Sequence, residues 1–253
     1  MTTWDPQQYA RFSDERTRPF FELVARINGA APRVVVDLGC GNGTLTSTLC
    51  DRWPSADVTG VDNSAEMLAD AYAAGVRFEM GDIRTWSPST EVDVVVSNAA
   101  LQWVPGHLTL LERFVSWLPA RGGWLAFQVP GNFTAPSHVL LHELRMSSRW
   151  RDRVGAVDQP AVHEPAEYAA ALAALGLAVD AWETTYLQML VGPDAVLEWT
   201  KGTTLRPVLT ALAETDRDAF LAEYAVALRE AYPTRNDGIT PFPFRRLFVV
   251  AHR

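Results

Sequence analysis

The strongest chemical signal in the chain is the loop Asp37-Leu38-Gly39-Cys40-Gly41-Asn42-Gly43. It follows an apolar run and opens a helical one. Its glycines allow backbone to approach a ligand closely, and the helix start beyond them offers unsatisfied N–H groups. A dinucleotide site calls for G-x-G-x-x-G. Here the spacing is G-x-G-x-G, with an aspartate two residues before the first glycine. A carboxylate there would repel a pyrophosphate. It suits a ligand with a zwitterionic amino-acid end, whose ammonium it can meet directly or through water. The plainer alternative is a glycine turn in which Asp37 serves only as a cap.

Two further acidic positions fall at matching places. Asp62 ends the run V-T-G-V-D, 19 residues after Gly43, where a carboxylate can accept both hydroxyls of a ribose. Its other reading is a cap on the following helix. Asp82 and Ile83, in G-D-I, sit at the end of the next apolar run. There an aspartate can accept from an adenine amino group with the isoleucine against the ring, or it is a surface turn residue. Three such features at three successive strand ends carry more weight together than any one alone.

The elements that must hold these residues follow from the apolar periodicity. R-V-V-V-D-L-G is a continuous β-branched run, the pattern of a strand buried on both faces. T-L-T-S-T-L-C-D-R-W reads as helix and D-V-T-G-V-D as strand. S-A-E-M-L-A-D-A-Y-A-A-G reads as a helix from an N-cap at Ser64 to a C-cap at Gly75. V-R-F-E-M-G-D, E-V-D-V-V-V-S-N-A and G-G-W-L-A-F-Q-V follow as strands, with Leu111, Phe114, Val115 and Leu118 at helical spacing before the last. This alternation predicts a parallel sheet with right-handed crossovers. From about 132 to 162 the apolar residues are scattered. Then come the helix P-A-E-Y-A-A-A-L-A-A-L-G, a strand-like stretch to Leu190, a helical insertion over about 194–232, and the terminal strand R-R-L-F-V-V-A-H.

Bulk properties bound the partners. The 253 residues are 48% apolar and 21% charged, the mixture of a folded domain. A net charge of −8 argues against nucleic acid, which needs a dense cationic face. The polar N-terminal stretch and short apolar runs predict neither secretion nor a membrane span. Two cysteines, Cys40 and Cys50, make no disulfide framework, which fits a cytoplasmic location. His138 and His142 have a helical spacing that metal sites use, but without a third ligand no metal is expected, and His107 reads as a loop residue. Nothing calls for an obligate protein partner.

The arrangement from about 32 to 128 resembles the class I methyltransferases. The carrying residues are the loop with Asp37, Gly39, Cys40 and Gly41, then Asp62, Asp82-Ile83, and Ser97-Asn98-Ala99-Ala100 after the fourth strand. The resemblance implies S-adenosylmethionine as cofactor, with these residues and Asn98 around it. It also implies a Rossmann-like, doubly wound seven-stranded sheet whose last strand is antiparallel. A narrower resemblance, to the trans-aconitate methyltransferase family, spans nearly the whole chain. It rests on W-D-P-Q-Q-Y-A-R-F-S-D-E-R-T-R-P, N-A-A-L-Q-W-V-P-G-H, P-S-H-V-L-L-H-E-L, T-T-Y, E-W, T-L-R-P and R-R-L-F-V-V-A. It implies methyl-ester formation on one carboxylate of a small tricarboxylic acid.

On this reading 1–253 is a single domain, its core sheet from about 32–130, 164–190 and 244–253, capped by about 1–29 and 194–232. A carboxylate is already ionised at neutral pH, so no catalytic base is required. A tricarboxylate does need cationic clamps, and arginine binds carboxylate with a planar fork. Arg206, Arg245 and Arg246 are the candidates, each otherwise a surface or salt-bridged arginine. Trp103 either walls the transfer site or packs in the core, and the same choice holds for Tyr186 and Trp199. Tyr9 and Phe12 are a lid or ordinary packing. A nicotinamide-dependent oxidoreductase is the rival from another class, disfavoured by the glycine spacing and Asp37. A binding module that kept the loop is a third reading. Another small acid or a natural-product intermediate is the alternative substrate.

Overall fold

The computed structural model describes residues 13–29, 31–157 and 161–253. Tyr9 and Phe12 lie outside them. The described chain divides into two compact units.

The first unit comprises Arg16–Pro130, Pro160–Thr184 and Arg246–Arg253. Its strands are β1 (Val34–Leu38), β2 (Asp57–Asp62), β3 (Val76–Met80), β4 (Val94–Asn98) and β5 (Trp124–Pro130), with parts of β6 (Ala178–Val191) and β7 (Ile239–His252). The order is β3-β2-β1-β4-β5-β7-β6. The first five run parallel, and β7 returns antiparallel to β5 with Phe127 opposite Val249 and Pro130 opposite Arg246. The expected seven-stranded sheet with its antiparallel last strand is therefore present. Strands β1, β4 and β5 are buried on both faces, which is why their sequences are unbroken β-branched and apolar runs. Phe127, fully buried here beside Leu38, Phe114 and Val249, illustrates the gain: burying a side chain of that size contributes roughly 1.5–3 kcal/mol.

Helices α1 (Ser13–Ala25), α2 (Ser47–Arg52), α3 (Ala65–Ala69), α4 (His107–Ser116) and α7 (Pro165–Ala174) accompany the strands. Residues 16–29, expected to act with the later insertion, belong to the sheet unit, because Phe20, Leu23, Val24 and Ile27 are buried and Arg26 lies over Trp182. Helix α3 stops at Ala69, short of the expected Gly75, although Ser64 caps it as anticipated by accepting from the Met67 N–H. None of its residues is fully buried and Tyr72 beyond it is 90% exposed, so no packing supports further turns.

Among the described residues the second unit comprises 13–15, 131–157 and 185–245, and is helical apart from the adjoining segments of β6 and β7. Its helices are α5 (Pro136–Met146), α6 (Arg151–Val154), α8 (Ala195–Lys201), α9 (Arg206–Ala211) and α10 (Glu214–Ala231). The scattered stretch after Asn132 thus folds as α5 and α6. Their apolar residues Leu141, Trp150 and Val154 join Trp199, Phe220, Tyr224, Phe242 and Phe244 in a second core. The Ser137 N–H donates to the Tyr232 hydroxyl at 3.1 Å and its carbonyl accepts from Tyr224 at 2.7 Å, tying the start of α5 to α10.

Candidate active site

The polar residues singled out in the sheet unit collect at the carboxyl ends of its parallel strands, where open α/β sheets bind ligands. At the end of β1 the chain turns over β2: the N–H groups of Gly39 and Cys40 donate to the Val61 carbonyl at 2.7 and 3.1 Å. Gly39 has φ +78°, and a Cβ there would fall 2.2 Å from the Ala100 Cβ, so only glycine fits. Gly41 has φ +58°, yet a Cβ on it would meet nothing within 4 Å. Backbone is therefore exposed to open space at Gly41 and packed hard against the β4 loop at Gly39.

Asp37 is 2% exposed. Its Oδ2 accepts from the Thr46 hydroxyl at 2.6 Å, while Oδ1 is buried without a partner among the described residues. Burial pushes its pKa up to about 6, opposed by the Thr46 bond and reinforced by repulsion from Asp62. A buried carboxylate oxygen without a donor is costly unless a ligand supplies one. Asp62 is held from two sides: Oδ2 accepts from the Gly41 N–H at 2.8 Å and Oδ1 from the Ser64 N–H at 2.9 Å. A carboxylate has about four acceptor directions, so two remain for hydroxyl groups. Asp62 thus positions both the loop and the start of α3, while Ser64 itself provides the cap. Cys40, between the glycines, carries a thiol that burial and the neighbouring carboxylates push well up, leaving it protonated and inert.

Asp82 closes a turn with Arg84, accepting from its backbone N–H at 2.8 Å and from its guanidinium, which holds the carboxyl below its ordinary range. Ile83 is 8% exposed and its Cδ1 lies near the Gly39 position. After β4, Ala99 adopts φ +52°, uncommon for a residue with a Cβ and held by two bonds. Its N–H donates to the Gln128 carbonyl at 3.0 Å and its carbonyl accepts from the Gln102 amide at 2.6 Å. The 3-10 turn Leu101–Trp103 that follows leaves Trp103 47% exposed, which rules out the core-packing reading of that residue.

Arg246 is also part of this unit, 6% exposed, with Nη1 donating to Gln128 Oε1 at 3.2 Å. Gln128 Nε2 in turn donates to Asn98 Oδ1 at 2.7 Å. Gln128 escaped the sequence reading. Its signal was present as the one polar residue in the run W-L-A-F-Q-V-P, because a polar side chain in a doubly buried strand must have partners.

The remaining candidates belong to the helical unit. Arg206 opens α9 before Pro207 and is half-buried. The Arg245 backbone is gripped by Asn132, whose side chain accepts from its N–H at 2.7 Å and donates to its carbonyl at 2.9 Å. Tyr186 is buried in β6 and Trp199 is core. His138 is buried, with Nε2 3.0 Å from the Thr204 hydroxyl and Nδ1 3.2 Å from Ser137, and burial pushes its pKa down to about 4. Among the described residues no group of His, Cys, Asp or Glu is arranged to hold a metal. His107 is not a loop residue. It is buried at the first position of α4, bonded to the Val104 carbonyl at 3.1 Å and the Tyr168 hydroxyl at 2.6 Å.

A sheet of this order, with a glycine loop after β1 and Asp62 ending β2, is that of the class I S-adenosylmethionine-dependent methyltransferases. The methyltransferase-domain family matches residues 35–122. The fold likeness extends to a plantazolicin methyltransferase solved with S-adenosylhomocysteine, at TM-score 0.54 and 14% identity over 98% of this chain and 91% of that one. The chain belongs to the trans-aconitate 2-methyltransferase family. It is 54% identical to the Streptomyces avermitilis member, over 99% of this chain and 97% of that one. It is 52% identical to the Rhodococcus jostii member, over 98% of each. Among the described residues no helix is long and apolar enough to cross a membrane.

Proposed function

We propose that this enzyme methylates one carboxylate of trans-aconitate, giving a monomethyl ester and S-adenosylhomocysteine. The observation that carries the reading is the buried Arg246 guanidinium, tied to Gln128 at the carboxyl ends of β4 and β5. A buried cation there suits a polycarboxylate, and it comes with identity to trans-aconitate methyltransferases along the whole chain.

S-adenosylmethionine, when bound, supplies an electrophilic methyl group on a sulfonium centre. Asp37 meets the ammonium of its amino-acid end through the oxygen that lacks a donor, and Asp62 accepts the ribose hydroxyls on its two remaining acceptor directions. Asp82, whose two oxygens accept from Arg84, would take the adenine amino group by giving up one of those contacts while Ile83 lines the ring, and the open backbone at Gly41 admits the ligand. The acceptor oxygen of trans-aconitate is already ionised, so no residue of this chain has to remove a proton. What the chain supplies is alignment and exclusion of water. Trp103 walls the acceptor, and Arg246, Arg206 and Arg245 hold the non-reacting carboxylates, with Tyr186 beside them. We assign the reaction to the cytoplasm, in keeping with the free thiols of Cys40 and Cys50.

The deciding experiment incubates the enzyme with methyl-labelled cofactor and trans-aconitate, cis-aconitate, citrate or isocitrate, and identifies products by mass. Preferential formation of a trans-aconitate monomethyl ester is expected. Cofactor binding with no methylation of any of the four acids would overturn the substrate.

A further inference from the structure

Asp82 and Ile83 open a turn that closes on itself, the N–H groups of Thr85 and Trp86 donating to the Asp82 carbonyl at 2.9 and 2.7 Å. The carbonyls of the next two residues, Ile83 and Arg84, accept from Nη2 and Nη1 of a single side chain, Arg113 of α4. A guanidinium is a rigid planar fork, so spending it on two successive backbone carbonyls fixes the peptide planes that carry them. Arg113 is half-buried, and its guanidinium lies over the rings of Trp117 and Phe114 at 5.5 and 5.7 Å. Trp117 also meets Trp86 edge-on at 5.7 Å, and the Trp86 indole N–H donates to Glu79 at 2.9 Å. Trp86 in turn closes over Gly81, where a Cβ would fall 2.6 Å from it. Helix α4 and Trp117 just beyond it thus grip both ends of the turn that presents Asp82 and Ile83.

The two arginines beside Asp82 do different work. Arg84 binds the carboxylate directly with a side chain that is 59% exposed, and an ion pair of that kind is weak and easily exchanged. Its bonds hold the Asp82 carboxyl below the ordinary range, with the charge of Arg113 adding to them through space. Arg113 bonds only to backbone, so an adenine amino group can take an Asp82 oxygen from Arg84 while the turn stays in place. We propose that Arg113 is a positioning residue for the adenine end of the cofactor: by holding the Ile83 and Arg84 carbonyls it fixes the Asp82 carboxylate where the amino group of the ring can be recognised. This rests on the reading that Asp82 accepts from that amino group. Arg113 acts through the turn, and its effect is on discrimination, because Ile83 and Asp62 serve any purine nucleoside whereas Asp82 senses the amino group.

The test compares S-adenosylhomocysteine with its analogue carrying hydrogen in place of the adenine amino group. Affinities of both are measured by calorimetry on wild type, Arg113→Met, Arg113→Lys and Asp82→Ala, with thermal unfolding of each. Wild type should favour the amino ligand by about thirtyfold, the loss of a charge-assisted bond. Arg113→Met, which keeps an apolar stem for Trp117 but no donors, should reduce that preference to about threefold, chiefly by weakening the amino ligand. Arg113→Lys should fall between, since a point charge does not reproduce a fork across two carbonyls. A merely structural role weakens both ligands alike and leaves the preference intact, and that result overturns the proposal. If Arg113→Met does not fold, Arg113→Lys decides: a reduced preference supports the role and a wild-type preference overturns it. Asp82→Ala separates the two levels. If it abolishes the preference while the Arg113 variants keep it, the positioning role falls alone. If wild type shows no preference, or Asp82→Ala retains it, the adenine reading of Asp82 falls and the role of Arg113 with it.

Discussion

The role proposed for Asp37 predicts that cofactor binding depends on pH in a definite direction. Its folded pKa is raised from 3.8 to about 6, so the folded protein without ligand holds this proton more tightly than the unfolded chain does. The group's contribution to stability is complete below pH 3.8 and is lost as pH rises through about 6. An ammonium placed on Oδ1 reverses the preference, because it favours the charged carboxylate. S-adenosylhomocysteine should therefore bind more weakly as pH falls from about 7 to 5, while turnover at saturating cofactor and substrate stays flat across neutrality. Calorimetry over that range, repeated on Asp37→Asn, checks both parts: the variant should bind weakly with no pH dependence. A bell-shaped turnover profile centred near neutrality would instead demand a protein base. Asp62 makes a separate prediction. Asp62→Ala loses the bonds that order Gly41 and Ser64 as well as those offered to a ribose, and affinity should drop about a hundredfold, as for charge-assisted bonds in a pocket. Unaltered affinity would reduce Asp62 to a loop and helix-start residue.

At the scale of elements, the parallel strands were legible because β1, β4 and β5 are buried on both faces and leave apolar runs, in which the few polar residues, Asp37 in β1, Ser97 and Asn98 in β4 and Gln128 in β5, stand out. Helices α5 and α6 were not legible. Within this stretch Leu141, Trp150 and Val154 enter the second core while Val139 and Met146 are exposed, so the apolar residues show no clean period, and Trp150 is held through its indole N–H on Glu223 at 2.9 Å, a long-range contact with no local signature. The burial of His107 was hidden for the same reason, since its partner Tyr168 lies 61 residues later. Such contacts make the helical unit's order depend on a few polar ties. Tyr224→Phe removes the donor to the Ser137 carbonyl, a buried acceptor at the start of α5. The variant should lose about 1–2 kcal/mol in denaturant unfolding, with S-adenosylhomocysteine affinity unchanged because the residues proposed for the cofactor belong to the other unit. A loss of cofactor binding in that variant would contradict the division of labour between the units.

For the molecule as a whole, the difficulty is charge. An enzyme of net charge −8 must accept a tricarboxylate, so long-range repulsion has to be offset by cations concentrated near the site. Arg246 belongs to the sheet unit and Arg206 to the helical unit. Arg149 is paired with Glu223, Arg153 with Asp216 and Arg18 with Glu22. Arg206→Ala should raise KM for trans-aconitate by about one to two orders of magnitude, the loss of a charge-assisted pair, with cofactor affinity nearly unchanged. Arg206→Lys should recover only part of that loss, since a point charge does not reproduce the planar fork. If the two arginines grip different carboxylates of one rigid acid, the double variant with Arg246→Ala should show roughly additive losses in the free energy of substrate capture. Substrates with one carboxylate fewer supply an internal check: an acid lacking the carboxylate that Arg206 holds should lose its sensitivity to Arg206→Ala while keeping its sensitivity to Arg246→Ala. If both single variants turn over trans-aconitate with wild-type KM, neither arginine holds the substrate, and the cation that offsets its charge must come from elsewhere in the helical unit or from residues 1–12.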